Sequence, residues 1–369
     1  LRGQPVIVGG AGNRGVVLSA TYEAREFGVH SAMPMSRARR MCPQAVVIAP
    51  DHRHYSRVSA GVMEIFASIT DEMEPLALDE AFLDVSGATR RLGTPRQIGE
   101  LIRSRIHDEQ GITASVGAST TKFVAKLAST RAKPDGLLVI PAREIVAFLH
   151  PMKVGALWGV GERTEEQLHR LGLRTVADIA GTPATTLERA LGPALGRHLF
   201  ELSWGRDPRR VQAAESERSI GAEETFPQDV DDLEVVGQEV LRLSEKIAVR
   251  LRRAGLTGRT VVLKVRFADF TTITRSRTVS GPLDVGRDIY LVAQELLDAL
   301  GLQRARLRLV GVRVEGLRAE SESPRQLELG ARDQGWREAE EAMDRAATRF
   351  GKDSVQPARL VRPRPWDSD

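Results

Sequence analysis

Two adjacent carboxylates, Asp79 and Glu80, stand between short apolar runs in residues 75–87. The runs are rich in Leu, Phe and Val, which predicts a β-hairpin with both acids near its turn. Side chains alternate across a strand, so adjacent acids converge on one site only where a turn or kink re-aims one of them. Carboxylate oxygens suit Mg²⁺, which proteins usually hold through one or two carboxylates, completed by substrate phosphates and water. Spacing alone also allows a charged turn that faces solvent.

The composition describes a globular chain of several modules. A length of 369 residues exceeds one typical domain, and 41% hydrophobic residues supply ample core. The sequence pI is about 9.4, and only seven of the 53 basic residues are lysines, so most of the positive charge is Arg, which suits phosphate recognition. The single cysteine, Cys42, excludes an intrachain disulfide and a cysteine-rich zinc site. No apolar run has the length of a bilayer span, so we expect a cytoplasmic protein without a membrane partner.

The elements predicted around the acidic hairpin form an α+β domain. Apolar residues at helical spacing predict a helix over residues 52–70, and Thr94 followed by a proline predicts the cap of the helix after the hairpin. A strand over residues 112–117 follows. The resulting strand, helix and strand, with the acids at one edge, are typical of a ferredoxin-like domain.

Two further groups of residues suggest phosphate chemistry. Tyr22 and Arg25 are three residues apart and share one helix face, where a hydroxyl and a guanidinium can meet a triphosphate. An ordinary amphipathic turn is the alternative. Four of the seven lysines lie between residues 122 and 153, which indicates that a compact ammonium is required there. Ser119 is the predicted cap of the helix over residues 120–130, which carries two of these lysines.

A glycine-rich turn predicts a contact with DNA. Gly159 and Gly161 flank a valine just before a helical stretch, as in a helix-hairpin-helix. Such a turn exposes backbone N–H groups at a helix N-terminus, which is a ready site for one DNA phosphate. Any tight helical hairpin is the alternative. Residues 205–217, which carry little apolar content, read as a linker.

The region after the linker predicts a second sheet, in the order βαββαβ, with Asp231 as the cap of its first helix. Along residues 259–267, the apolar side chains point one way while Lys264 and Arg266 point the other. Arg275 and Arg277 on the next strand are expected to add to the same basic side. A one-sided basic sheet is the electrostatic footprint of a phosphate backbone, whereas a merely solvated face would more often mix signs.

The last fifty residues are polar and resemble a tail that ends in a short helix over residues 336–350. Before that helix, the stretch 326–330 reads Gln-Leu-Glu-Leu-Gly. It is either a stray apolar pair in a linker or a peptide docking motif.

Taken in order, these motifs resemble the Y-family of translesion DNA polymerases, most closely the DinB branch, over nearly the whole chain. The resemblance rests on residues 22–29, 78–85, 132–136, 159–161 and 218–221. It implies an α+β multidomain fold, a right-hand polymerase whose palm is ferredoxin-like and whose thumb is a helical helix-hairpin-helix domain. The implied boundaries are fingers at 1–50, palm at 51–140, thumb at 141–207, linker at 208–217, βαββαβ little finger at 218–318 and C-terminal tail at 319–369.

The resemblance also implies an activity, which is low-fidelity addition of dNTPs to a primer 3′ end by two-metal phosphoryl transfer, with tolerance of damaged templates. Asp79 and Glu80 would bind two Mg²⁺ ions. Tyr22, Arg25 and Lys133 would grip the incoming triphosphate. The implied partners of a monomeric enzyme are primer–template DNA, dNTPs and the sliding clamp. The clamp-binding peptide would use Gln326, Leu327 and Leu329 as its anchors.

Two departures from the family pattern carry expectations of their own. In this family a leading strand supplies a third metal-binding Asp and, just after it, the aromatic steric gate. The pattern here begins one strand late, so we expect the chain as given to be nearly inactive. Gly330 stands where the clamp peptide usually has an aromatic residue. The missing Asp is the best support for the main alternative, a non-catalytic Y-family adaptor that binds DNA and clamp, and a helix-hairpin-helix repair nuclease is a third interpretation.

Overall fold

The computed structural model describes residues 1–10, 12, 14–212, 217–303, 305–323, 335–351 and 354–361. It divides into two compact units, one made of residues 1–50 with 216–369 and the other of residues 51–215. Among the described residues, each unit encloses two hydrophobic clusters. No helix in this part of the chain is both long and apolar enough to cross a membrane.

The first fifty residues form a three-stranded sheet in the order β2-β1-β3. Strand β1 pairs antiparallel with β2 and parallel with β3. Ile7, Val17 and Met35 are buried where the sheet packs against its helices. The elements are β1 (Val6–Gly9), β2 (Val17–Ala20), α1 (Tyr22–Glu26), α2 (Met35–Met41) and β3 (Val46–Ile48).

The second unit begins with long helices that support the acidic hairpin. Ile65 of the first long helix packs against Ile98, Ile102 and Ile106 of the second, as their helical spacing predicts. Thr94 forms the predicted cap, in a capping box with Gln97. The elements are α3 (His52–Ile69), β4 (Met73–Ala77), β5 (Glu80–Leu83), α4 (Thr89–Leu92), α5 (Pro95–Gln110), β6 (Val116–Ala118), α6 (Lys122–Arg131) and β7 (Leu137–Val139).

The predicted cap of α6 is wrong. The helix begins at Lys122, and the hydroxyl of Ser119 instead donates to the carbonyl oxygen of Ile140 at 2.9 Å. This bond joins the end of β6 to the end of β7, and these two strands run parallel. The backbone N–H of Phe123, in the first turn, is bound by the carboxylate of Asp207, which lies far along the chain.

A helical region follows, as the pattern from residue 141 predicts. Leu168, Leu187 and Leu199 are fully buried in its core, together with Phe123 from α6. This shared core joins the helical region to the strand-containing part of the same unit. The helices are α7 (Ile145–Leu149), α8 (Glu162–Arg170), α9 (Val176–Gly181), α10 (Ala184–Leu191) and α11 (Pro193–Ser203).

The predicted βαββαβ arrangement is confirmed after the linker, with strand order β10-β9-β11-β8 and all neighbours antiparallel. Val240, Ile247 and Ile289 of the two helices cover one face of the sheet. Asp232 rather than Asp231 caps the first helix, accepting from the N–H of Glu234 at 2.8 Å. The elements are β8 (Ser219–Val230), α12 (Leu233–Arg253), β9 (Leu256–Phe267), β10 (Thr272–Leu283), α13 (Gly286–Asp298), β11 (Leu307–Glu315) and β12 (Arg318–Ala319).

The predicted C-terminal helix is present as α14 (Trp336–Phe350). It is packed against other elements of the first unit, whereas the sequence predicted a polar tail. Glu340 is 3% exposed and accepts hydrogen bonds from Arg252 and from the backbone N–H of Gly286, both at the sheet-covering helices. Leu360 is also buried. A buried acid such as Glu340 needs partners of this kind. The described residues from 335 onward therefore pack as part of the first unit.

Candidate active site and nucleic-acid interface

The acidic pair lies at the tip of a hairpin, as predicted. Strands β4 and β5 pair antiparallel with Ala77 opposite Glu80, and Leu78 and Asp79 form the turn between them. Asp79 is exposed at the turn, while Glu80 is half-buried at the start of β5. The change of direction at the turn meets the condition that the sequence sets for adjacent acids to serve one site.

Two lysines on α6 bind acids of this hairpin. Lys126 donates a hydrogen bond to Glu80 Oε1. Lys122 donates to both carboxylate oxygens of Glu74 on β4, at 2.5 and 2.6 Å. Burial opposes ionisation of Glu74, but the hydrogen bonds from Lys122 and from the N–H of Gln212, with nearby positive charge, hold its pKa below the ordinary value. The lysine cluster noted in the sequence thus fixes the hairpin to α6.

An aromatic residue beside the hairpin was missed by the sequence reasoning. Trp158 stacks against Phe82 of β5, with ring centroids 6.1 Å apart. The Lys126 ammonium lies 5.2 Å from the Trp158 centroid, and the Arg209 guanidinium carbon lies 4.6 Å from it. These are cation–π distances. The only sequence signal for this cluster is the position of Trp158 directly before the glycine turn.

The predicted linker is anchored in its first half. Asp207 has a fully buried side chain and binds Arg209 through two contacts of 2.8 Å. Burial alone would raise the pKa of Asp207, but the hydrogen bonds and charge of Arg209 lower it. Five residues after Asp207, the N–H of Gln212 donates to Glu74 at 2.9 Å. Residues 207–212 are therefore part of the second unit rather than a free tether.

The residues assigned to the triphosphate lie at two places, one in each unit. Lys133 is exposed on the loop between α6 and β7, where Arg103 binds Asp135 at 2.7 Å. In the first unit, Tyr22 begins α1 and is 53% exposed. The Arg25 guanidinium lies 5.7 Å from the Tyr22 ring centroid, so the predicted shared helix face is confirmed.

The donor set of the hairpin fits magnesium rather than a preformed metal cage. Among the described residues, no group of three or more His, Cys, Asp or Glu side chains is arranged to hold a metal ion. Asp79 and Glu80 offer hard carboxylate oxygens from two neighbouring positions. Magnesium commonly takes one or two protein carboxylates and completes its shell with substrate phosphates and water. The two acids suffice for that mode of binding.

The glycine turn has the predicted geometry. Gly159 adopts φ of +93°, which favours glycine, and Gly161 is the residue before α8. No side chain caps the N-terminus of α8, so its first N–H groups are available to an anion. Glu162 and Glu165 stand in the first turn and reduce the positive potential there.

The predicted one-sided basic sheet is partly wrong. Arg275 lies opposite Leu263, and Arg277 lies opposite Val261. Directly opposed residues of antiparallel strands share a face. Arg275 and Arg277 therefore lie on the face that the helices cover, and Arg277 binds Glu295 of α13. The sequence does not show the register between β9 and β10, and only this register decides on which face of the sheet Arg275 and Arg277 lie.

The open face of this sheet carries mixed charges. Lys264 and Arg266 lie on it as predicted, but Lys264 binds Glu223 of β8 at 2.7 Å. Arg313 and Glu315 of β11 form a second pair, at 2.6 Å. These residues of the open face thus comprise three cations and two carboxylates. Arg266 forms no ion pair with a carboxylate among the described residues. The predicted clamp anchors Gln326, Leu327 and Leu329 lie outside the described residues.

Comparisons with known proteins agree along most of the chain. A sequence model of the impB/mucB/samB family matches residues 1–130, the model of its C-terminal domain matches 217–329, and a DNA polymerase-iota thumb domain model matches 155–207. DNA polymerase IV of Desulfatibacillum aliphaticivorans is 41% identical over 363 residues, which cover 98% of this chain and 91% of the relative. DNA polymerase IV of Alkalilimnicola ehrlichii is 45% identical over 319 residues, covering 86% and 89%.

A solved structure supports the same fold. The Y-family DNA polymerase chimera of Dbh and Dpo4 superposes with a TM-score of 0.74 at 24% identity, over 85% of this chain and 92% of the chimera. Its low identity speaks to fold alone, which is α+β as the sequence predicts. Together with the extent and identity of the relatives, these matches show that the chain belongs to the Y-family of DNA polymerases, in the DNA polymerase IV branch.

Proposed function

We propose that this protein is a template-directed DNA polymerase of the translesion type, which adds dNTPs to a primer 3′ end with low fidelity and tolerates damaged templates. The observation that carries the proposal is the β4–β5 hairpin tip, where Asp79 is exposed and Glu80 is held by Lys126. Family membership supports it, because the relatives that match almost the whole chain are named DNA polymerase IV.

Asp79 and Glu80 would hold two Mg²⁺ ions. When bound, such ions neutralise phosphate charge and make a primer hydroxyl more acidic. The chain's own part is to position the hairpin tip: Lys126 binds Glu80 directly, and Lys122 ties β4 to α6 through Glu74. The result is a site whose geometry is set before the substrate arrives.

Three cationic or polar side chains would bind the triphosphate. Tyr22 contributes a hydroxyl and Arg25 a planar guanidinium, which can bind two phosphate oxygens at once. The Arg25 Nε–H donates to the Ala20 carbonyl oxygen at 3.0 Å, and this bond orients the guanidinium while its other N–H groups stay available. Lys133 supplies a point charge. Neutralising and aligning the phosphates is the main protein contribution to phosphoryl transfer.

Primer–template DNA would be held by two further surfaces. The N–H groups that follow Gly159 and Gly161 suit one backbone phosphate. Arg266, and Lys264 when it exchanges Glu223 for a phosphate, suit another part of the backbone. Clamp docking through Gln326, Leu327 and Leu329, a monomeric state and a cytoplasmic location stay predictions of the sequence.

Primer extension with dNTPs and Mg²⁺, on an undamaged template and on one with an abasic site, tests the proposal. Asp79→Asn and Glu80→Gln are compared with Asp71→Asn, an exposed acid just before β4 that serves as the matched control. The variants are made in a form of the protein that carries the family's leading strand, and we expect this parent and the control to extend on both templates. The two site variants should lose about 100-fold or more in rate, the scale of one electrostatic group, at unchanged DNA affinity.

Each rival interpretation has its own signature in the same experiment. DNA binding without extension by the form that carries the leading strand would favour the non-catalytic adaptor. Cleavage of labelled DNA in the absence of dNTPs would favour the nuclease. Extension by Asp79→Asn at the wild-type rate would remove the hairpin from the active site.

A further inference from the structure

The hairpin between β9 and β10 holds an exposed aromatic ring in an unusual backbone conformation. Phe270 has φ of +67° and is 61% exposed. A bulky residue seldom adopts positive φ, and such strain persists only where the surroundings impose it. Here the Phe270 N–H donates to the Phe267 carbonyl oxygen at 3.0 Å, and the Thr271 N–H donates to Asp269 Oδ1 at 2.9 Å. The turn is therefore built to present the ring to solvent.

A second irregularity brings an arginine to the same ring. Against β9, Leu307 pairs with Phe267 and Leu309 with Arg266, so Arg308 is the extra residue of a β-bulge on β11. Bulges re-aim a side chain and are enriched near functional sites. The Arg308 guanidinium carbon lies 4.3 Å from the Phe270 ring centroid. Two separate departures from regular sheet thus place one exposed ring against one guanidinium.

Two arginines lie beside the ring, while the turn itself carries one acid, Asp269, whose Oδ1 accepts from the Thr271 N–H. On β9, Arg266 donates from Nε to the Thr272 hydroxyl at 3.0 Å, which holds it beside the hairpin. Among the described residues, neither Arg266 nor Arg308 forms an ion pair with a carboxylate. The residues of the turn itself are small or polar, apart from the ring. An exposed ring beside two cations suits a polyanion with flat bases, which can use both the ring and the charges.

We propose that Phe270 and Arg308 form a stacking platform for an unpaired base of the DNA template, with Arg266 and Arg308 facing the adjoining phosphates. Proteins that bind single-stranded DNA combine aromatic faces with positive charge, because every base has a π-face and every linkage a phosphate. The platform rests on the proposed function in one respect, which is that DNA is the substrate. It assigns a role to residues outside the acidic hairpin.

Binding of DNA with a single-stranded template overhang, compared with blunt duplex of the same length, tests the platform. The overhang carries 2-aminopurine, whose fluorescence reports stacking. Phe270→Leu keeps an apolar side chain of the same branching at the same strained position but removes the ring. Phe350→Leu is the matched control, because Phe350 is 70% exposed and also contacts an arginine, Arg349, at 5.2 Å.

We expect Phe270→Leu to weaken binding of overhang DNA by about tenfold, the scale of one stacked base, and to abolish the fluorescence change. Binding of blunt duplex should stay unchanged, and Phe350→Leu should change neither. Phe270→Trp should restore overhang binding. Arg308→Gln should reduce the slope of log affinity against log salt by about 1, the scale of one phosphate contact.

Unchanged overhang binding by Phe270→Leu would overturn the platform, and so would equal losses on overhang and blunt DNA. The assay needs no nucleotide addition, so it is repeated with Asp79→Asn in the background. If that protein binds overhang DNA with the same dependence on Phe270, the platform stands whether or not the polymerase proposal does. If the wild type extends primers but Phe270→Leu binds normally, only the platform fails.

Discussion

Lys126 on α6 donates a hydrogen bond to Glu80 at the hairpin tip, across 46 positions in the chain. The same ammonium lies over the face of Trp158. One side chain therefore ties the acidic turn to an aromatic residue of the neighbouring helical region. Because Lys126 is held from two sides, it fixes where the Glu80 carboxylate points.

Removing this ammonium should reduce catalysis without reducing DNA binding. Lys126→Met frees the Glu80 carboxylate to rotate, and loss of such an orienting partner typically costs about 10- to 100-fold. We expect kcat to fall on that scale at saturating dNTP and Mg²⁺, with partial recovery in Lys126→Arg. Steady-state primer extension and DNA anisotropy are the measurements. Lys246→Met, at an exposed lysine of α12, is the control, and a Lys126→Met enzyme with its full kcat would contradict the orienting role.

In the β10-β9-β11-β8 sheet, the strand register places on opposite faces two arginines that the sequence predicts on one basic face. Arg266 lies on the open face, whereas Arg277 lies on the helix-covered face and binds Glu295. We expect Arg266→Gln to lower DNA affinity and to reduce the salt slope by about 1. Arg277→Gln should leave both values unchanged. Binding titrations at several salt concentrations check this, and equal effects of the two variants would show that DNA does not use the open face selectively.

Asp207 should stabilise the second unit more than its place in a linker suggests. Asp207→Ala leaves the Arg209 donors and the Phe123 N–H without their acceptor, and such a loss costs about 1–3 kcal/mol. Urea unfolding should show that decrease, and limited proteolysis should cut more rapidly within residues 207–217. Asp207→Asn, which keeps an acceptor, should lose less. Identical unfolding and proteolysis of wild type and Asp207→Ala would refute the anchoring of the linker.

The docked C-terminal helix should make stability depend on pH. Burial and the charges of Glu340 and Asp344, partly offset by the charge of Arg252, together raise the pKa of Glu245 to about 7. Because this value exceeds the ordinary 4.5, the folded state binds the proton more tightly. The free energy of unfolding should therefore fall as pH rises from about 4.5 to 7, by at most about 1.4 kcal/mol per pH unit.

Glu245→Gln removes that penalty. We expect it to raise the melting temperature at pH 8 and to leave it nearly unchanged at pH 5, relative to the wild type. Glu64→Gln, at an exposed acid of α3, is the control and should shift the melting temperature equally little at both values. A Glu245→Gln protein that gains no stability at high pH would show that the carboxyl is ionised without cost.

Local patterns were enough to predict most elements of the fold. Helical spacing located α3, α5 and α14, the Thr94 capping signal was correct, and strand alternation gave the βαββαβ order. These features depend on residues close in sequence, where periodicity and capping chemistry act. The predicted hairpin tip at Asp79 and Glu80 and the shared helix face of Tyr22 and Arg25 are local in the same sense.

What the sequence missed depends on contacts between distant residues. The bonds from Lys126 to Glu80 and from Gln212 to Glu74 join segments that no local pattern relates. The faces of Arg275 and Arg277 required strand register, and the burial of Glu340 required knowledge of what α14 packs against. Ser119 failed as a cap because Asp207 reaches the first turn of α6 instead.

Insertion of a single nucleotide under single-turnover conditions shows whether Asp79 acts in template-directed nucleotide addition. Wild type, Asp79→Asn and Asp71→Asn are first shown to bind the same primer–template with equal affinity, and insertion of each dNTP opposite each template base is then timed. In a form of the protein that carries the family's leading strand, we expect insertion that follows the template in the parent and in Asp71→Asn, and a loss of about 100-fold or more in Asp79→Asn. Equal rates in all three proteins, or insertion that ignores the template base, would contradict it.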